Sequence, residues 1–278
     1  MPATLSSKTF IRLPQALLDK HGLAAGNRLG IILCIALCIV LCFPGHLLAV
    51  SAQDLIENTW NQLRGQASRG QVEMTIHRLS WERTLKMRSW TQGRTQSLIR
   101  ILAPNKDKGN GTLKKGQDMW TYNPKINRVI KLPPSMMAQS WMGSDFSNND
   151  LAKSDSILND YTHRIMDTTT HQEKTVYVIK SIPKPQAPVV WGSQELKIRE
   201  DFILLQETFF DEQNIPVKVL TTEDIKVLGG RLFPTVWTMQ DSEKQDEFTR
   251  LKHTQLEFLD QLPPSLFTLR NLRNPGRL

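Results

Sequence analysis

The chain has 278 residues, 40% of them hydrophobic and 22% charged, with three cysteines and a formal net charge of +8. All three cysteines, Cys34, Cys38 and Cys42, lie in the first 52 residues, so the remainder has no disulfide framework, thiolate metal site or cysteine nucleophile. Residues 1–52 also carry four Lys/Arg against one Asp. The excess beyond them is therefore only +5, and no nucleic-acid recognition motif accompanies it.

The N-terminus sets Lys8, Arg12, Lys20 and Arg28 against Asp19, followed by an uncharged run from Leu29 to Phe43. Pro44 and Gly45 break that run, and Val50-Ser51-Ala52 offers small or medium residues at a peptidase site. This is the secretory pattern, and the run is shorter than the roughly 20 apolar residues of a spanning helix. Residues 1–52 read as a cleaved signal peptide and 53–278 as one exported domain in the periplasm. An uncleaved inner-membrane anchor is the alternative. Each cysteine follows a leucine, so lipid modification at cysteine is not expected.

Asp54 to Leu63 has the spacing of a short amphipathic helix, with Leu55, Ile56, Thr59, Trp60 and Leu63 on one face and Ser51 or Asp54 as cap. Period-two alternation follows in Val72–Ile76 and Leu85–Arg88, with a more apolar run from Ser97 to Leu102. Further strands are expected at Met119–Tyr122, Arg128–Leu132, Tyr161–Asp167, Thr175–Ile182, Gln194–Arg199, Leu204–Phe210, Val217–Thr222, Thr235–Met239 and Phe248–Phe258. Regular polar turns between them predict a mainly β, antiparallel sandwich or barrel. Two stretches interrupt the pattern: Pro133 to Leu158, too long and apolar for a plain loop, and a helical turn or two in Pro263 to Leu272.

Catalytic chemistry finds little support. His77, His163, His171 and His253 form no pair at metal-ligand spacing, and no G-x-S-x-G elbow occurs. Asp145, Asp150 and Asp155 are spaced by five, unlike a calcium loop, and read as caps and turn acids, with Asp150 capping a short helix. No metal and no cofactor are expected. The aromatic and methionine residues are more informative. Met136, Met137, Trp141, Met142 and Phe146 gather in the interrupting segment, and methionine adapts to irregular apolar ligands. Core packing and a cover over an acyl-chain pocket both remain open readings of that cluster.

Several pieces then stand together: Arg100-Ile101-Leu102-Ala103-Pro104, Gly111-Thr112, Trp120-Thr121-Tyr122-Asn123-Pro124, Arg128, Met142-Gly143-Ser144-Asp145-Phe146, Asp150-Leu151, Val190-Trp191-Gly192 and Leu266-Phe267-Thr268. In this order the set resembles the LolA-like outer-membrane lipoprotein-sorting proteins over almost the whole exported part. The resemblance implies a strongly curved antiparallel sheet, an unclosed barrel, covered by short helices around an apolar cavity for acyl chains.

The resulting expectation is a periplasmic, monomeric, non-enzymatic carrier of lipid or lipoprotein acyl chains. Its donor would be an inner-membrane transporter and its acceptor an outer-membrane protein. Candidate pocket residues are Met87, Trp90, Ile99, Ile101, Trp120, Tyr122, Met136, Met137, Trp141, Met142 and Phe146; Arg100 and Arg128 read as structural. A lipid hydrolase using the same pocket and a non-catalytic accessory of an inner-membrane transporter are the rival readings. The leader makes a direct prediction. N-terminal sequencing of the envelope form should begin close to Gln53, and an intact N-terminus in the membrane fraction restores the anchor.

Overall fold

A computed structural model describes residues 50–244 and 246–275. The expected leader lies outside the described residues up to residue 49. Helix α1 (Ala52–Arg64) opens the described part; Ser51 caps it by accepting from the Asp54 N–H, and Gly65, at φ 62°, ends it. Ser51 rather than Asp54 is thus the cap, a contact worth about 1 kcal/mol.

Thirteen antiparallel strands form one sheet: β1 (Ala67–Arg78), β2 (Trp81–Gln92), β3 (Gln96–Ala103), β4 (Gly111–Lys115), β5 (Asp118–Asn123), β6 (Arg128–Lys131), β7 (Tyr161–His171), β8 (Lys174–Pro183), β9 (Ser193–Arg199), β10 (Leu204–Phe210), β11 (Pro216–Leu228), β12 (Arg231–Asp241) and β13 (Phe248–Leu259). Their spatial order is β6-β5-β4-β3-β2-β1-β13-β12-β11-β10-β9-β8-β7. Strands adjacent in the sheet are also adjacent in sequence except at one seam, where β1 meets β13 from Ala67↔Leu259 to His77↔Phe248. The sheet is unclosed, with β6 and β7 as its edges. Those two strands are consecutive in the chain, so the connection 132–160 spans from one edge to the other.

Alternation gives the sheet two covered faces. On the inner face, Val72, Met74, Ile76, Leu85, Met87, Ile101 and Met119 form one buried cluster. Tyr161, Ile179, Leu196, Ile198, Phe209, Leu220 and Met239 form another beneath Leu55, Ile56 and Trp60 of α1. On the outer face Trp90 pairs with Leu98, Leu98 with Leu113, and Leu113 with Trp120. The C-terminal segment seals this row with Leu262, Leu266, Phe267 and Leu272; Leu272 belongs to α4 (Leu269–Arg273), whose N-cap is Thr268.

All the expected strands are present, most of them lengthened at their ends, while the one expected at Arg128–Leu132 stops at Lys131. β4 was not among them, because Lys114 fills an inward position and breaks the alternation. Arg100 is an outer-face residue with a definite task. Its Nη2 donates to the carbonyls of Asn271 (2.8 Å) and Leu272 (3.1 Å), fastening α4 to β3. Replacing it with methionine removes both of these charge-assisted hydrogen bonds. Arg100→Met should lower unfolding stability by about 2–3 kcal/mol in urea titration, and a change within 0.5 kcal/mol refutes the clamp.

Candidate functional site

The connection 132–160 is folded over the inner face. It contains a 3-10 turn at Pro134–Met136, helix α2 (Asn148–Ala152) and helix α3 (Ser156–Asp160), and Ser140 and Ser147 bridge it internally. Trp141 is its apolar anchor, 5% exposed, with its indole N–H donating to Thr112 Oγ1 at 3.0 Å. Met136, Met137, Met142 and Leu151 are half-buried against the cluster around Met87 and Ile101. Phe146 packs instead on the cluster beneath α1. A groove of about 640 Å³ opens at the margin, lined by Leu132, Pro133, Pro134 and Met137, with Lys131 and Lys153 among its polar residues.

Three acids latch this connection to three separate parts of the scaffold. Asp145 takes both guanidinium nitrogens of Arg78 on β1, each at 3.1 Å, and exchanges hydrogen bonds with Thr249 on β13. Asp150 meets the ammonium of Lys218 on β11. Asp155 meets Arg64 of α1 at 2.8 Å and Lys114 of β4 at 3.2 Å. Beside these pairs, Trp60 donates its indole N–H to the Ser154 carbonyl at 3.0 Å. Lys114 is almost wholly enclosed, and burial lowers its pKa, an effect that Asp155 partly offsets.

The five-residue spacing therefore has a meaning different from the expected one. The helix cap of α2 is Ser147, not Asp150; Asp150 is the third helical residue and closes a capping box, accepting from the Ser147 N–H at 2.7 Å. Asp155 makes no side-chain cap to α3. The partners at residues 64, 78, 114 and 218 are distant in sequence and invisible to local spacing.

A second charged feature lies under α2. Glu207 of β10 is buried, and its pKa is raised to about 8, first by burial and then by Asp150, with Lys218 acting in the opposite direction. The carboxyl is thus neutral at pH 7. Nearby on the same face, Gln194 donates to the Tyr161 hydroxyl at 3.3 Å while its own Oε1 is buried without a partner.

A family model described only as an uncharacterized protein matches residues 93–274, well over half of the chain. The chain belongs to that family, and its fold is LolA-like. A domain from Vibrio parahaemolyticus named for outer-membrane lipoprotein sorting superposes with TM-score 0.70 at 20% identity, covering 80% of this chain and 98% of its own. A DUF1329 family protein from Desulfovibrio piger gives TM-score 0.71 at 22% identity, covering 80% and 97%. A LolA superfamily protein from Nitrosomonas europaea gives 0.66 at 21% identity, covering 79% and 98%. No curated protein matches the chain.

Within this LolA-like frame the candidate pocket residues divide. Met87, Ile99, Ile101, Met136, Met137, Trp141 and Met142 come together on the inner face. Phe146 joins the neighbouring cluster. Trp90, Trp120 and Tyr122 point to the opposite face, under the C-terminal segment, because one register step reverses a strand residue. Those three therefore cannot share a pocket with the methionines. Arg128 is exposed.

The histidines also separate. His77 pairs with Glu82 on an exposed strand surface. His253 lies against Phe233 and Trp237, and burial lowers its pKa to about 4. His163 Nδ1 stands 2.9 Å from Ser181 Oγ on the inner face, the contact a hydrolase needs. Yet Ser181 is 0% exposed, the His163 Nε2 is buried with no carboxylate to orient it, and burial lowers the ring's pKa. Among the described residues no group of acids, histidines and cysteines is arranged to hold a metal, and no helix is long and apolar enough to cross a membrane.

Glu207 makes stability depend on pH with a definite sign. Folding raises its pKa from 4.5 to about 8, so the neutral carboxyl stabilises the fold fully below pH 4.5, and this is lost as pH rises through 8. His253 acts oppositely but only below its unfolded value of 6.5. The window between pH 6.5 and 8 therefore isolates Glu207. Glu207→Gln should become more stable relative to wild type by about 2 kcal/mol across that window, read by urea unfolding at each pH. Parallel profiles for the two proteins refute a proton held on Glu207.

Proposed function

We propose that this protein is an exported, periplasmic carrier that shelters acyl chains of a lipid or lipoprotein between the inner face of its sheet and the connection 132–160, without catalysis. The observation that carries this reading is the cover itself. It is methionine-rich, half-buried, fastened at discrete points, and bordered beside Met137 by a groove of mixed apolar and polar lining. Met87, Ile99, Ile101, Met136, Met137, Trp141 and Met142 are the proposed lining. The fold, common to a domain named for lipoprotein sorting, supports the reading. The proposed donor is an inner-membrane transporter and the proposed acceptor an outer-membrane protein, with the carrier acting as a monomer.

Physical chemistry explains why such a carrier is needed. Burial of an acyl chain is worth about 0.8 kcal/mol per CH₂, so ~16 carbons amount to on the order of 12 kcal/mol. Transfer through water is prohibitive unless a protein surface replaces the bilayer. Release then needs a competing acceptor and an opening cover.

The Ser181–His163 contact is the specific observation favouring a hydrolase, and its burial weighs on the side of the carrier. A nucleophile with no exposed surface, beside a histidine whose Nε2 makes no hydrogen bond among the described residues, lacks the arrangement of an activated serine. One experiment addresses both readings. Met137→Asp should weaken binding of a fluorescent fatty acid by about tenfold or more with a melting temperature close to wild type. Trp141→Asp should collapse the melting temperature instead, since its side chain is core. Unchanged binding in Met137→Asp moves the pocket elsewhere. Phospholipid or ester turnover that disappears in Ser181→Ala replaces the carrier by an enzyme.

A further inference from the structure

Lys218 is a buried cation whose one ion-pair partner among the described residues belongs to the cover. Its side chain and that of Asp150 are each 9% exposed, and the ammonium lies 4.8 Å from the Trp191 ring centre and 5.3 Å from that of Phe209. Asp150 Oδ2 also accepts from the Ser147 N–H at 2.7 Å and the Ser147 hydroxyl at 2.8 Å, so the carboxylate is rigid with α2. Glu207, the other nearby carboxyl, is held neutral at pH 7. Any movement that lifts α2 therefore removes the charge balancing Lys218, and a buried unpaired ammonium is not tolerated.

A cavity of about 280 Å³ reaches Lys218 at the margin of the cover. Arg78 and Lys244 line it together with Ser144, Asp145 and Asp241, so three cations face two carboxylates there. That volume suits a polar head rather than a whole lipid. Beyond Lys218 the inner face is apolar, with Phe209, Leu220 and Leu196 in one buried cluster.

We propose that Lys218 receives the anionic head, a carboxylate or phosphate, of the cargo amphiphile, and that Asp150 stands in for that head while the protein is empty. The proposal rests on the carrier reading and adds the head-group class to it. Loading exchanges one anion for another at Lys218, so the cation is never left bare. Because the displaced anion is part of the cover, binding of the head and release of α2 are one event.

The test uses the full exported chain with dodecyl phosphate, dodecanol and inorganic phosphate as calorimetric probes. Wild type should bind dodecyl phosphate at least about tenfold more tightly than dodecanol. Asp150→Asn should tighten dodecyl phosphate by a similar factor, because the internal competitor is gone. Asp150→Asn/Lys218→Met should bind both amphiphiles alike; this double variant carries no charge at the pair and keeps the test valid if Asp150→Asn is unstable. Retained preference for dodecyl phosphate in the double variant overturns the head-group site while leaving the carrier intact. Inorganic phosphate binding as tightly as dodecyl phosphate overturns it in favour of a free-anion site. If neither amphiphile binds wild type, the carrier reading itself falls, and the head-group site with it.

Discussion

Pairing of β1 with β13 decides where this sheet is open. From that seam the strands run outward in sequence order on both sides, so the edges can only be β6 and β7. Their linking segment must then bridge the opening, and its Trp141, Phe146 and methionines find apolar surface on the inner face. The edges themselves are protected in different ways. β6 has four residues bounded by Arg128 and Lys131, while β7 carries a bulge between Ile165 and Asp167. Short, charged or bulged edges discourage pairing with another chain. An open sheet is thus kept from extending, and its opening is assigned to the cover.

Apolar contact alone does not fix where such a cover sits. Methionine side chains repack at little cost, and a segment held only by them has many positions of similar energy. Asp145, Asp150 and Asp155 remove that freedom, each by meeting a cation on a different element. Ion pairs so enclosed contribute little net stability because both charges lose water. Their effect is selectivity: removing one partner is estimated to cost about 3–5 kcal/mol, so misplacing the segment by one turn is heavily penalised. The latches define one closed position without making it strongly favourable over an alternative that supplies equivalent partners.

Much of the fold was legible because the strands obey period two, as in Val72–Ile76 and Leu85–Arg88. What resisted reading has a physical cause in each case. β4 was hidden by Lys114, a charged residue at an inward position. Trp120 and Tyr122 could not be assigned a face, since alternation gives parity within a strand but not the register between strands. The three-residue offset of Trp90 from Met87 on β2, by contrast, already sets those two on opposite faces. The three acids were visible as a pattern, but their roles depend on Arg64, Arg78, Lys114 and Lys218, which only tertiary structure brings near. Glu207 gave no signal at all: a glutamate in a strand reads as solvent-facing until its neighbours Leu196 and Leu220 are known to be buried.

The two covers of the sheet differ in how their buried cations are satisfied, and that difference separates a seal from a door. On the outer face Arg100 is met by backbone carbonyls of the C-terminal segment, while Leu266, Phe267 and Leu272 are fully enclosed. Neutral main-chain acceptors cannot be replaced by a soluble anion without unfolding α4, and its apolar side chains leave no space for a guest. On the inner face the cations are met by side-chain carboxylates on a segment whose methionines are only half-buried. A carboxylate is chemically exchangeable for another oxyanion, and an adaptable apolar surface can accept a new neighbour in place of its present one. Of the two layers that cover this sheet, only the connection 132–160 is built from contacts that a lipid can reproduce.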